Sequence, residues 1–134
     1  MVTSGSARRS VRPSSVGGLA RWGVATAAAR WWGTGFPWGT FVINVTGSLF
    51  LGWFATVLSS RLSLSPAAWL NPDDLRLLVA VGFTGAYTTF STFEYESYGL
   101  LRDGNGTLGS LYMFGSLFLG LMAVHAGVLL AKLT

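Results

Sequence analysis

Four long apolar stretches divide this chain and constrain its fold more than any other feature. They run over residues 16–32, 38–58, 75–101 and 108–130. Each stretch approaches or exceeds the roughly 20 residues that a helix needs to cross a bilayer. Short segments rich in glycine, proline, asparagine and aspartate separate them, and such residues mark turns. The pattern predicts an all-α membrane protein with four transmembrane helices, in which consecutive helices are antiparallel neighbours.

The composition excludes several function classes. Hydrophobic residues make up 51% of the chain and charged residues 10%, whereas a soluble domain carries roughly 25% charge. The chain has no cysteine and one histidine, so disulfides, thiolate chemistry and cysteine-based zinc sites are excluded. The five acidic residues lie near predicted helix ends or in loops, and they form no paired acid and base. The chain is therefore not expected to be an enzyme.

The positive charge is concentrated at the N-terminus. Residues 1–15 include Arg8, Arg9 and Arg12 and have no apolar periodicity, so they are predicted to form a flexible basic tail before a membrane domain over residues 16–134. The rule that basic residues stay in the cytoplasm explains this charge better than nucleic-acid binding does. Without the tail, basic residues divide almost evenly between the two faces of the bundle. The bundle itself therefore favours neither orientation, while the tail favours an inside N-terminus.

The third stretch is interrupted by polar residues and glycine. The segment from Gly82 to Glu94 mixes glycine, threonine, serine and phenylalanine. Irregular backbone at membrane depth is tolerated only where it is buried in protein or lines a cavity. We expect a break in the third helix near residues 83–89, and we expect a functional site there.

Neutral polar side chains also occur in the other spans. Asn44 lies in the middle of the second stretch, and Tyr112 and Ser116 are one turn apart in the fourth. Hydroxyl side chains of the interrupted span extend the set: Thr88, Thr89, Ser91 and Thr92. Hydrogen-bond donors without a fixed charge suit an anion that must be both desolvated and released. For any one of these residues, a hydrogen bond between helices is the simpler explanation; for the whole set, a path for an anion is favoured.

Two aromatic residues sharpen this interpretation. Phe90 and Phe93 are three residues apart, so their rings flank one spot on a helical face. Ring edges carry partial positive charge, which favours a small anion. Such a pair taken alone is typical of core packing.

A hexapeptide, Gly-Ser-Leu-Phe-Leu-Gly, occurs at residues 47–52 and again at 115–120. Each copy places small residues one turn apart, which allows close helix packing, although chance repetition in an apolar sequence is an equal alternative. Four helices of one copy leave no room for a lined pore, so oligomerisation is expected.

Two segments closely resemble the signature segments of the Fluc (CrcB) fluoride channels. They are Trp38-Gly-Thr-Phe-Val-Ile-Asn-Val-Thr-Gly-Ser-Leu-Phe-Leu-Gly52 and Gly82-Phe-Thr-Gly-Ala-Tyr-Thr-Thr-Phe-Ser-Thr-Phe93. The resemblance covers nearly the whole chain after residue 16. It implies a fluoride-selective channel in the plasma membrane of a prokaryote that exports fluoride passively and relieves its toxicity. It further implies an antiparallel, dual-topology homodimer embedded in lipid, with two pores.

The resemblance also implies roles for individual residues. Asn44 would reach the ion from the second helix, and Phe90 and Phe93 would line the pore. The remaining pore residues would be polar side chains of the third and fourth helices: Ser91, Thr92, Tyr112 and Ser116. The family often has a further hydroxyl one turn after Ser116, where this chain has Gly120, so the end of the polar track departs from the family pattern here.

A sodium ion is the implied cofactor. Backbone carbonyls of Gly85 and Thr88 from both subunits would hold it at the dimer axis as a structural ion, since a hard cation prefers oxygen ligands. Arg21 in the first span would either anchor a vestibule or extend to the membrane surface, the latter being the default. Glu94 and Glu96 are expected at the membrane surface and outside the ion path.

Three other function classes compete with the channel. A small multidrug transporter requires a membrane-embedded carboxylate, and the first two spans have none. A non-transporting assembly subunit explains the small residues but not the phenylalanines beside a hydroxyl run. A fluoride/proton antiporter needs a titratable group in the anion path, and none is expected there. Gating, and whether a paired homologue replaces the second copy, stay open.

Overall fold

The computed structural model describes residues 4–62 and 72–134, and within these ranges it contains helices and turns but no strand. Side chains are described over residues 14–61 and 74–134. The elements in chain order are α1 Ser4–Trp32, α2 Trp38–Leu62, α3 Pro72–Leu75, the π-helical segment π1 Arg76–Thr84, α4 Gly85–Tyr87, α5 Phe90–Arg102 and α6 Gly106–Leu133.

Glycine makes two of the turns short. Gly33, between α1 and α2, has φ of 76°, and Gly104, between α5 and α6, has φ of 82°. Glycine adopts this left-handed conformation without steric cost. The helices on either side of each turn are therefore antiparallel neighbours, as predicted.

The most extensive helix contact is between α2 and α6. A side chain at Gly52 would overlap the backbone of Val124, and one at Gly127 would lie 2.7 Å from the backbone nitrogen of Trp53. Positions later in α2 thus face positions later in α6, which means that the two helices run parallel. Close approach at Gly52 confirms the packing role predicted for the small residues of the first hexapeptide.

Helices occupy all four predicted spans, but their bounds differ from the apolar stretches. Helix α1 begins at Ser4 rather than residue 16, and α2 continues to Leu62 rather than 58. Helix α6 extends over Gly106–Leu133 rather than 108–130. Backbone hydrogen bonds do not require apolar side chains, so a helix extends beyond its apolar part. The segment predicted as a flexible tail is accordingly helical from Ser4 onward.

The break predicted in the third span is present. Helix α4 ends at Tyr87, and Thr88 has φ −79° and ψ 161°. Thr89 is also extended, with φ −151° and ψ 119°, and α5 begins at Phe90. Before the break, the Thr84 hydroxyl donates to the carbonyl of Val79, five residues back, at 3.1 Å, in keeping with the wider turns of a π-helix.

Two of the described helices are long and apolar enough to cross a bilayer by length and composition. They are α2 over Trp38–Arg61 and α6 over Gly106–Leu133, with mean hydropathies of 1.7 and 2.0. Only 17% and 11% of their most apolar stretches are buried within the chain, whereas the core helix of a soluble protein is mostly buried. Helix α1 carries Arg21 and Arg30, and the third span is divided by its break.

Candidate functional site

The side chain of Asn44 pairs with the backbone of the helix break. Its Nδ2 donates to the Thr89 carbonyl at 3.2 Å, and its Oδ1 accepts from the Thr89 N–H at 3.0 Å. Both backbone groups belong to the extended residue before α5, where no helical partner is in reach. Asn44 therefore joins α2 to the break and satisfies groups that lipid cannot satisfy.

The threonines at the break also cap the helix ends. Thr89 Oγ1 accepts from the Thr92 N–H at 3.4 Å and donates to Thr92 Oγ1 at 2.9 Å. Thr88 donates from both its N–H and its Oγ1 to the Thr84 carbonyl, each at 2.9 Å. A side-chain oxygen of this kind is the usual way to satisfy the first N–H groups of a helix, and here it fixes where α5 begins.

A cavity of about 210 Å³ lies beside the break. No charged side chain lines it, and its lining residues are Asn44, Gly47, Ser48, Leu51, Thr84, Thr88, Thr89 and Phe90. A side chain at Gly47 would overlap Thr88 and come within 3.2 Å of the Tyr87 ring. Glycine is thus required where α2 passes the break.

Aromatic rings extend from this cavity toward the turn between α1 and α2. The ring centroids of Phe90 and Phe93 are 6.1 Å apart, and those of Phe93 and Tyr112 are 5.1 Å apart. Phe36 meets Tyr112 edge to face at 5.3 Å. Phe90 itself is 71% exposed in the single chain, so one end of this series of rings is open.

The carboxylate of Glu96 lies between α2 and α6. Thr40 Oγ1 donates to its Oε1 at 3.0 Å, and the Tyr112 hydroxyl donates to its Oε2 at 2.8 Å. Glu96 is therefore held between helices and only partly exposed, which was not predicted from the sequence, whereas Glu94 is exposed. A signal was present in the sequence, because Glu96 follows Phe93 by three residues and shares its helical face.

A second cavity connects Glu96 with the turn between α1 and α2. Its volume is about 370 Å³, and Phe36, Thr40, Glu96 and Asp103 are among its lining residues. Thr40 and Glu96 therefore lie at the boundary between this cavity and the interior of the helix bundle.

The hydroxyl oxygen of Ser116 is buried. Among the residues that the structure describes, its Oγ atom is buried and has no hydrogen-bond partner. Buried hydroxyls are usually paired with protein or with water. Ser116 lies one turn after Tyr112 on α6, so an unpaired donor follows directly after the hydroxyl that contacts Glu96.

The structure brings only some of the predicted site residues together. Asn44, Thr88 and Phe90 line the first cavity, and Phe93 and Tyr112 are in ring contact. Ser91 is exposed, and neither it nor Arg21 lines the cavity. The sequence interpretation left out Thr40 and Thr84, assigned Glu96 to a position outside the ion path, and placed Ser48 on the same face as Asn44 without giving it a role in the site. All four lie on the same helical faces as predicted residues.

A structural metal ion needs a set of ligands, and side chains of the described residues do not supply one. The described residues contain no group of three or more histidine, aspartate or glutamate side chains that could hold one. The break offers backbone oxygens instead, because the last carbonyls of a helix have no helical partner and α4 ends at Tyr87. Gly85 is exposed, with no heavy atom within 4 Å of where a Cβ would lie. Backbone carbonyl oxygens of this kind suit a hard cation such as sodium.

Comparison with known proteins identifies the family of this chain. Residues 13–128 match the family model described as CrcB-like protein, Camphor Resistance (CrcB). The chain belongs to the CrcB family. A relative from Chlorobaculum tepidum is 46% identical over 117 residues, covering 87% of this chain and 86% of the relative.

Two further relatives of this CrcB chain are similarly close. The protein from Acidobacterium capsulatum is 45% identical over 118 residues, covering 88% of this chain and 89% of the relative. The protein from Chloroflexus aurantiacus is 42% identical over 119 residues and 89% of each chain. All three relatives carry the name fluoride-specific ion channel FluC. With its apolar helices, this CrcB chain is an all-helical membrane protein.

Proposed function

We propose that this chain is a fluoride-selective channel through which fluoride leaves the cell passively. The main support for this proposal is the cavity at the helix break. Its lining offers hydroxyls, an amide and an aromatic ring but no charged side chain. Relatives that cover nearly the whole chain are named fluoride-specific ion channels.

Neutral donors suit fluoride for an energetic reason. A small anion is strongly hydrated, and hydrogen bonds from the lining offset part of the cost of removing water. A fixed positive charge would hold the ion too tightly for conduction. Asn44 Nδ2 carries two hydrogens, and the Thr89 carbonyl takes one of them. The other hydrogen is available to the ion.

The rings of Phe90 and Phe93 favour a small anion over chloride. Their edges carry partial positive charge, and a small ion approaches them more closely than a large one. Tyr112 contributes through its ring, because its one hydroxyl hydrogen is donated to Glu96 in this structure. Ser116 Oγ has no partner among the described residues and thus supplies a free donor on the same helix.

The functional unit is an antiparallel homodimer with two pores. Phe90, a pore residue, is 71% exposed in the single chain, and the outward surfaces of α2 and α6 are apolar over most of their length. A second copy would cover Phe90, and lipid the rest. Symmetry then gives each subunit an equivalent pathway. The near balance of basic residues outside the N-terminal segment supports insertion in both orientations.

Backbone carbonyls of Gly85 and Thr88 would hold a structural sodium ion between the two copies. The open space at Gly85 allows close approach of a second backbone. A bound cation would stabilise the interface by neutralising carbonyl dipoles that the break leaves without helical partners. The bacterial relatives support a location in the plasma membrane of a prokaryote.

Fluoride efflux from liposomes containing the purified full-length chain tests the proposal. A fluoride electrode should record rapid release, while a chloride electrode on matched liposomes should record release slower by orders of magnitude. Equal release rates for the two ions would contradict the proposed selectivity. If no fluoride is released, co-reconstitution with a homologue from the same cell would test whether the functional dimer is mixed. A chain that stays silent in both preparations would be an assembly subunit, the second candidate that the small-residue packing favours.

A further inference from the structure

The parallel helices α2 and α6 keep one register over several turns. Gly52 lies against the backbone of Val124, and the Ser48 hydroxyl lies 3.7 Å from the position of a Cβ at Gly120. In both pairs the α6 residue follows the α2 residue by the same number of positions. Two successive levels of the groove between these helices are thus defined directly by contacts.

The same register extends toward the other end of the groove. It places Tyr112 level with Thr40, and the structure agrees, since both residues donate to the same carboxylate, that of Glu96. Asn44 and Ser116 form the level between that of Thr40 and Tyr112 and that of Ser48 and Gly120, one helical turn from each. Four levels of the groove can therefore be read in order.

Polar side chains line three of these levels in succession. The first has Thr40 and Tyr112, the second Asn44 and Ser116, and the third Ser48 alone. The fourth is closed, because Gly52 there lies against the Val124 backbone.

At the third level α6 has Gly120, which has no side chain and so no donor. Ser48 stands opposite on α2, and it lines the same cavity of about 210 Å³ as Asn44, one turn away.

We propose that the Ser48 hydroxyl contacts fluoride directly and supplies from α2 the donor that α6 lacks at Gly120. This inference rests on the proposed channel function. An ion that leaves Asn44 and Ser116 and moves away from Tyr112 reaches Ser48 next, and beyond it the contact at Gly52 closes the groove. Ser48 therefore ends the polar part of the pathway within this groove.

Moving the hydroxyl from one helix to the other tests the proposal. Fluoride efflux is measured for four full-length proteins in liposomes: the unmodified chain, Ser48→Ala, Ser48→Ala with Gly120→Ser, and Thr56→Ala as a control. Thr56 lies on the same helix and donates to the carbonyl of Gly52, outside the pathway. A side chain at Gly120 has room, because its Cβ would meet Ser48 at an ordinary contact distance of 3.7 Å.

Ser48→Ala should slow efflux about tenfold, the effect of roughly one hydrogen bond to an ion. The double variant should recover most of the rate, and Thr56→Ala should match the unmodified chain. Full efflux from Ser48→Ala would overturn the role of Ser48, and a double variant as slow as Ser48→Ala would show that packing rather than the hydroxyl matters. An unmodified chain that releases no fluoride would instead overturn the channel function and this inference with it.

Discussion

The side chain of Asn44 and the backbone of Thr89 exchange two hydrogen bonds, of 3.2 and 3.0 Å, across 45 residues of sequence. The pair holds α2 against the one place in the third span where the backbone is extended. Asn44 thus has a structural role besides the ion contact that the resemblance implies.

Replacing Asn44 by alanine should reduce both stability and conduction. The change leaves the part-buried N–H and carbonyl of Thr89 without partners, at a cost of at most about 1–3 kcal/mol for each group. Thermal unfolding in detergent should occur at a lower temperature than for Ser60→Ala, a control on the same helix whose hydroxyl donates to the carbonyl of Thr56. Fluoride efflux should fall in parallel; an unchanged melting temperature would contradict the structural role.

Replacing Phe90 and Phe93 by isoleucine should slow fluoride conduction, and the Phe90 change should do so with little loss of stability. Phe90 is 71% exposed in the single chain, so its loss removes little packing within the subunit, whereas Phe93 packs on Tyr112. If each ring edge stabilises the ion by about 1 kcal/mol, similar to an aromatic pair interaction, Phe90→Ile with Phe93→Ile should slow efflux roughly 10-fold to 100-fold. Phe118→Ile is the matched control, since this exposed ring on α6 lies outside the proposed pore. Near-normal efflux from the double variant would remove the pore assignment.

Gly85→Val should weaken the dimer without a clash inside the subunit. Nothing in the chain lies within 4 Å of the Cβ position at Gly85 or at Gly23, and Gly23→Val on α1 is therefore the control. If Gly85 faces a second copy and a sodium ion, its variant should dissociate at lower protein concentration and lose any dependence of stability on sodium. Size-exclusion chromatography of diluted protein, in a sodium buffer and in a buffer of a large organic cation, measures dimer dissociation and its dependence on sodium. A Gly85→Val dimer that behaves like Gly23→Val in the two buffers would refute the sodium site.

The sequence predicts the break and the neutral site because both follow from local chemistry. Two glycines and five serine or threonine hydroxyls within residues 82–94 conflict with a regular membrane helix, and the structure resolves this conflict at Thr88 and Thr89. The small residues Gly52 and Gly120 indicated close packing, but which residues of α2 face which residues of α6 is seen only in the tertiary structure. The spacing of residues along the sequence predicts neither that Thr89 is the partner of Asn44 nor that Ser48 lies opposite Gly120.

Glu96 shows why charge alone was misleading. A carboxylate after a membrane span is normally solvated, so the sequence placed it at the surface. In the structure Thr40 and Tyr112, from two other helices, donate hydrogen bonds to the partly exposed carboxylate of Glu96. A carboxylate that is partly removed from water needs such partners. Glu96 thus lies next to Tyr112, a residue of the proposed pathway, and the competing antiporter requires a direct test.

Fluoride movement should not be coupled to protons, because the lining of the cavity at the break contains no titratable side chain and Glu96 lies to one side of it, bonded to Tyr112. Liposomes with equal fluoride on both sides are given a pH gradient, and internal fluoride is followed over time. Protein-free liposomes correct for diffusion of hydrogen fluoride through lipid. A passive channel held at zero membrane potential produces no accumulation above that background. Accumulation that depends on the protein and disappears in Glu96→Gln would instead identify an antiporter with Glu96 as its coupling group.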